Sequence, residues 1–235
     1  LRSYEYILSK PRTGYTENSA LKASEILFRM KDYAKALQMF ERLEENAENP
    51  ASLQESYLGQ MRCNFYLGNH GIAIQKGQKV LETDRLSPDL AAETHLITGK
   101  SYMSLQRFES ARASFENVLK ISQGEAGAEA LFNLAAISYE LKDYKTAESQ
   151  IFRLSGDFAS YDYWVARSFI LLSDVYVKTG NEFQARQTLQ SIIDNYAGED
   201  LRKIAADKLA LIGNEKTSVQ PESRTFDDEE GIIIR

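Results

Sequence analysis

The chain has 235 residues, 43% of them hydrophobic and 26% charged, which fits a folded globular protein and excludes disorder throughout. With 28 basic against 34 acidic residues, a net charge of −6, it does not have the basic footprint of a nucleic-acid reader, and no apolar run approaches the ~20 residues that span a bilayer. One cysteine, Cys63, makes neither an internal disulfide nor a multi-cysteine zinc site.

In chain order, Tyr4 to Lys10 reads as the last turns of a helix stopped at Pro11. The first residue is leucine, and no charged and apolar leader precedes the fold, so residues 1–11 are expected to be the end of a preceding unit in a piece cut from a longer protein, the alternative being a short N-terminal helix. Apolar residues then recur at helical spacing. Leu21, Ile26, Leu27 and Met30 mark one stripe; Leu131, Leu134, Ala135 and Tyr139 mark another; Phe169, Leu172 and Tyr176 mark a third. Strand-type alternation is scarce, which predicts an all-α chain.

A short motif recurs along these helices. It reads Lys31-Asp32-Tyr33-Ala34-Lys35-Ala36, then Gly68 to Ala73, Gln106 to Ala111, Lys142 to Ala147 and Gly180 to Ala185. The closing alanines are 37, 38, 36 and 38 residues apart. The first positions suit a tight helix-to-helix turn. An aromatic before the alanine plugs the hairpin, with Phe183 one place late in the fifth copy. The alanine sits where two helices cross closely and a larger side chain forces them apart. Small residues stand at the matching crossing of the first helix, Ser24, Gly99, Ala135 and Ser173, and a large one follows each alanine, Phe40, Phe115, Ile151 and Leu189. The second copy departs from this, with Met61 at the small position and Gly77 at the large one.

These residues resemble the tetratricopeptide repeat family. The best single unit runs from Leu131 to Leu154, with Leu134, Ala135, Asp143, Tyr144, Ala147 and Ile151 in register. The spacing exceeds the family's usual period of ~34 residues, which implies longer helices or connections. The resemblance implies a right-handed superhelical solenoid of antiparallel helix hairpins: five repeats over residues 12–198, a capping helix over 199–213 through Leu201, Ile204, Ala205, Leu209 and Ile212, and a polar, acidic tail over 214–235. In that tail, Asp227 to Glu230 precede Ile232, Ile233 and Ile234, which read either as the start of a strand or as a sticky segment that docks on a neighbour.

Solenoids bind through their concave face. Mapping by phase puts Leu21, Leu58, Leu96, Phe132 and Ile170 on that lining, and two turns on Phe28, Phe65, Met103, Tyr139 and Val177. Beside them run two mixed rows: Glu25, Arg62, Lys100, Ala136 and Asp174, and Asn18, Glu55, Glu93, Glu129 and Arg167. The expected site is an apolar groove for a peptide or helix, with Arg62, Lys100, Asn133 and Arg167 among the polar groups that set register; the competing reading is that neighbouring helices bury many of these residues. Some relatives clamp a C-terminal carboxylate with lysines, asparagines and an arginine. The corresponding residues are Leu96, Lys100, Asn133, Arg167 and Leu171, of which Asn133 alone matches outright, so a clamp of that kind is not expected.

Convergent catalytic groups are few. His70 and His95 read as packing or surface residues and Cys63 as a small buried hydrophobe. Gly124-Glu125-Ala126-Gly127 has no lysine-serine or lysine-threonine sequel and serves as a connection between repeats. Tyr161, Tyr163 and Trp164 open a helix, either packed on the preceding repeat or exposed as an interface anchor. The sequence therefore predicts a non-enzymatic scaffold for a protein or peptide, with no cofactor and no metal. Self-association through the tail or an exposed end, and a recruiting module of a larger protein, are the alternatives. The run from Ala166 to Lys178 looks similar to long bacterial envelope repeat proteins, which suggests the periplasm and an assembly role.

Overall fold

A computed structural model describes residues 1–214 of the chain. The tail reading over 215–235 and its isoleucine run lie outside the described residues. Among the described residues every regular element is an α-helix: α1 (Arg2–Leu8), α2 (Thr16–Arg29), α3 (Tyr33–Asn46), α4 (Pro50–Tyr66), α5 (His70–Leu81), α6 (Pro88–Ser104), α7 (Phe108–Ile121), α8 (Glu125–Glu140), α9 (Tyr144–Asp157), α10 (Asp162–Lys178), α11 (Glu182–Asn195) and α12 (Glu199–Asn214). They form a helical-repeat solenoid, α2/α3 through α10/α11 being five successive hairpins, with α1 packed on α2 and α12 on α11.

One turn is used five times. Each first helix ends on a residue with positive φ: Lys31 (60°), Gly68 (78°), Gln106 (57°), Lys142 (62°) and Gly180 (78°). The next residue's N–H reaches back to close the helix, Asp32 to the Leu27 carbonyl (3.0 Å), Asn69 to Asn64 (2.8 Å), Arg107 to Tyr102 (2.9 Å), Asp143 to Ser138 (2.9 Å) and Asn181 to Tyr176 (2.8 Å). That same residue is the N-cap of the following helix. At Asp32 and Asp143 the carboxylate accepts from the N–H of Lys35 and Thr146, both 3.2 Å. One residue thus ends one helix and starts the next, which explains why the motif is so short. The connections between hairpins start differently: Asn49 and Ser87 cap α4 and α6 ahead of Pro50 and Pro88 at the first helical position.

The closing alanines, Ala36, Ala73, Ala111, Ala147 and Ala185, are all 0% exposed. At Gly99 a Cβ would come within 2.7 Å of the Phe115 ring, so the small-against-large crossing holds there as expected. In the second hairpin the two sizes are exchanged. Met61 is 0% exposed, and its sulfur lies 3.2 Å from where a Gly77 Cβ would stand. A long side chain from α4 fills the space that other repeats fill from their second helix. The plug is absent from the fifth turn: Phe183 is 72% exposed, because a shift of one place turns it away from the hairpin. The core is a row of clusters along the array rather than one ball, each built from neighbouring helices.

Candidate functional site

The first helices touch one another in succession, α2 with α4, α4 with α6, α6 with α8, α8 with α10 and α10 with α12. Among the described residues the backbones of the second helices approach one another less closely, although Glu44 on α3 reaches Lys76 and Lys79 on α5 at 2.8 and 3.3 Å. The array is therefore tighter along α2, α4, α6, α8, α10 and α12, and these line its inner side.

The sequence-derived site residues divide in two. Leu58 and Ile170 are 1% and 7% exposed, so they belong to the core and offer no open surface. Leu21, Phe28, Phe65, Leu96, Met103, Phe132, Asn133 and Tyr139 are half-buried. Asn133 turns its amide to the Glu129 carbonyl of its own helix at 2.8 Å.

Arg62, Glu93, Lys100 and Glu129 are not free to set a ligand's register, because they pair with each other across α4, α6 and α8. At the α2–α4 joint the matching residues, Glu25 and Glu55, are both acidic, and Glu25 pairs with Lys22 of its own helix at 3.0 Å. Arg62 on α4 makes a bidentate pair with Glu93 on α6, both bonds 2.6 Å. Lys100 on α6 pairs with Glu129 on α8 at 2.9 Å and lies 5.3 Å from the centre of the Phe65 ring. Burial works against the Arg62 charge, but the Glu93 hydrogen bonds and the nearby Glu55 outweigh it and hold the guanidinium protonated above its usual range. These are rungs of a ladder, cation on one helix and carboxylate on the next.

The ladder is also interrupted between α8 and α10. The next rung in register joins position 136 to position 167, and these are Ala136 and Arg167. Arg167 is exposed. Its guanidinium carbon sits 4.7 Å from the centre of the Phe132 ring, 5.4 Å from Trp164 and 5.9 Å from Tyr163. Its one hydrogen bond among the described residues is donated to the Tyr163 hydroxyl at 3.1 Å. Trp164 itself is 8% exposed, so of the three aromatics that open α10 it packs inward against Phe132, while Tyr163 faces out. Beyond the break one more rung appears with reversed polarity, Asp174 on α10 to Lys208 on α12 at 2.6 Å.

Two features escaped the sequence reading. Ile204 and Leu211 are 44% and 67% exposed and share the face of α12 that carries Lys208, so they extend the inner side with apolar surface. The sequence signal was their helical phase, on one face with Lys208 at spacings of four and three residues. The other is an aromatic strip across the first two turns, in which Tyr33 and Tyr66 stack at 4.6 Å with planes 10° apart, flanked by Phe28 and by Phe65, which His70 meets edge-on at 5.8 Å. A concavity of 590 Å³ also opens between α10 and α11, lined by Val165, Phe169, Thr188, Ile192 and Tyr196.

The groups with acid–base or nucleophilic potential lie apart. Burial pushes the Cys63 thiol up to about 12. His95 is held below its ordinary range by burial and by the Lys120 charge. No helix among the described residues is long and apolar enough to cross a membrane.

Comparison with known proteins agrees with this architecture. One tetratricopeptide repeat model matches residues 98–162, and a second matches 19–49 and 163–198, together more than half the chain. The stretch left between them contains the exchanged pair Met61 and Gly77. No curated protein matches the chain. Among solved structures, the apo form of RapI superposes with a TM-score of 0.75 at 17% identity over 92% of this chain, which spans 66% of RapI, just under two thirds of its length. A tetratricopeptide repeat protein from Parabacteroides merdae gives 0.70 at 15% identity, covering 92% of this chain and 80% of that one. YrrB, described as a TPR protein with an unusual peptide-binding site, gives 0.60 at 15% identity, covering 87% and 98%. At these identities the likeness shows the fold alone. The repeated turn, the closing alanines and the matches over most of the repeats together show that the chain belongs to the tetratricopeptide repeat family, a fold that generally mediates protein–protein interactions.

Proposed function

We propose that the chain is a non-enzymatic scaffold that binds a peptide or helix of a partner protein on its inner side, centred on α8, α10 and α12. One observation carries this reading. Arg167 stands at a rung of the charge ladder with no carboxylate opposite among the described residues, exposed, its guanidinium carbon within 6 Å of the ring centres of Phe132, Tyr163 and Trp164. A guanidinium with one face on aromatic rings keeps its edge donors available for an incoming carboxylate in a bidentate pair. The surface is set before the ligand arrives, so binding orders little of the scaffold. Structural likeness to YrrB, whose description includes a peptide-binding site, supports the mode of action. The finer role in bacterial envelope assembly is carried by the likeness of residues 166–178 to envelope repeat proteins.

The test is affinity capture with the purified chain, cross-linked and read by mass spectrometry, beside two variants checked by circular dichroism. Arg167→Glu removes the exposed cation. Arg62→Ala breaks an internal rung at the other end of the array. A partner lost with Arg167→Glu and retained with Arg62→Ala supports the reading. A partner retained by a folded Arg167→Glu chain overturns it.

A further inference from the structure

The inner side changes character at its C-terminal end. Where α4 and α6 carry Arg62, Lys100 and Glu93, the corresponding face of α12 carries Ile204 and Leu211, 44% and 67% exposed. Leu201 and Ala205 pack with Ala166 and Ile170, and Lys208 reaches Asp174, so α10 and α12 run parallel. At 1.5 Å per residue this sets Arg167 level with Leu201, about 5 Å along the axis from Ile204 and about 15 Å from Leu211. A cation without an ion-pair partner among the described residues and an apolar stripe therefore lie side by side at a fixed separation.

The sequence beyond the described residues contains the complementary pattern. Asp227, Asp228, Glu229 and Glu230 are followed, after Gly231, by Ile232, Ile233 and Ile234. The centres of the two runs are four to five residues apart, which is about 15 Å in an extended chain. From Asn214 to Asp227 there are 13 residues, and that length of chain can reach up to about 43 Å. The end of α12 lies about 20 Å along the axis from the level of Arg167. That length spans the gap, and tethering across a distance the chain can reach gives an effective concentration in the millimolar range.

We infer that the segment Asp227–Ile234 docks in cis on the inner face of α10 and α12, its acidic run on Arg167 and its isoleucines on Ile204 and Leu211. This rests on the reading of that face as the binding site and makes the chain's own segment a competitor for it. A competitor at millimolar effective concentration holds the face closed even when its intrinsic affinity is modest, so a partner must displace it.

The test uses the full chain and a variant with Ile232, Ile233 and Ile234 all changed to serine. The probe is a synthetic peptide of residues 222–235, and the readout is the fluorescence of Trp164, the one tryptophan in the chain, beside Arg167. The serine variant is expected to bind the peptide with a Kd of about 10–100 μM and the unaltered chain at least about tenfold more weakly, since its own segment competes. Adding Arg167→Glu or, separately, Ile204→Ser to the serine variant is expected to weaken the peptide about tenfold or more. Hydrogen exchange in residues 160–178 and 199–214 is expected to speed up in the serine variant. Equal peptide affinity for both chains, or no binding to either, overturns the inference. So does a concentration-dependent dimer that the serine substitutions abolish, which assigns the segment to a second copy. Absent peptide binding with partner capture still lost in Arg167→Glu sinks tail docking alone. Peptide binding with capture unaffected by Arg167→Glu sinks the scaffold reading instead.

Discussion

Changing Gly77 to alanine tests the exchanged crossing in the second hairpin. Two effects oppose each other. Alanine in place of glycine within α5 stabilises the helix by about 1 kcal/mol. The added methyl, however, would stand 2.5 Å from Thr98 Cγ2, 3.2 Å from the Met61 sulfur and 3.5 Å from Thr94 Cγ2. Carbon atoms prefer a separation of about 3.5–4 Å, so Thr98 has to yield by roughly 1 Å. Thr98 is β-branched, 4% exposed, and donates its hydroxyl to the carbonyls of Thr94 (2.9 Å) and His95 (3.1 Å). Rotating it loses those acceptors; holding it forces α5 and α6 apart. Either route costs about 2–3 kcal/mol, so the net expectation is a destabilisation of about 1–2 kcal/mol. Thr98→Ser removes the methyl and keeps the hydroxyl. In that background Gly77→Ala is expected to become neutral or stabilising by up to about 1 kcal/mol. Urea unfolding followed by circular dichroism measures all four corners of the cycle. A Gly77→Ala chain more stable than the parent, with no coupling to Thr98→Ser, refutes the account.

Three further outcomes are expected. Glu44 accepts from Gln60 (2.6 Å) and pairs with Lys76 (2.8 Å) and Lys79 (3.3 Å). Burial acts to raise its pKa, but these partners outweigh it and the net shift is downward. Its contribution is therefore full above the ordinary value near 4.5 and lost as pH falls through the lowered one. The stability gap to Glu44→Gln, about 1 kcal/mol near neutrality, should close in acid; a gap independent of pH contradicts this. Cys63 is 0% exposed with its pKa pushed up to about 12 by burial, so little thiolate is present at pH 8. Alkylation should follow unfolding, and labelling of the native chain at the rate of a free thiol would contradict this. Arg62→Ala leaves Glu93 half-buried without its bidentate partner, at an expected cost of about 1–2 kcal/mol, between exposed and buried pairs; a double-mutant cycle with Glu93→Ala should show coupling above about 0.5 kcal/mol.

The turns were legible because their chemistry is local. A positive-φ residue, a cap and a small crossing residue all fall within six positions, so a single copy contains the instruction and five copies confirm its phase. The exchange at Met61 and Gly77 was visible as a departure, but its resolution was not, since Thr98 enters from the next hairpin. The inner face was legible as a face and misjudged in its electrostatics. Arg62 and Glu93 are 31 residues apart, and reading them as partners requires the relative rotation of α4 and α6, which no single helix pattern contains. Phe183 misled for the opposite reason: residue type suggested a plug, and one place of phase turned it to solvent. Ile204 and Leu211 were absorbed into a capping helix because amphipathicity alone does not say which apolar residues find a neighbour.

The charge ladder also has a bearing on inheritance. Because helices touch only those one or two places away, recombination can excise a whole hairpin and leave just one new joint to be tolerated. Losing α6 and α7 would bring α4 beside α8 and set Arg62 across from Glu129, a rung of the original sign. Losing α8 and α9 would bring α6 beside α10 and set Lys100 across from Arg167, cation against cation. The rungs thus act as mating keys between modules: the third hairpin can drop out of such a lineage at little electrostatic penalty, whereas the fourth separates two units that repel when joined.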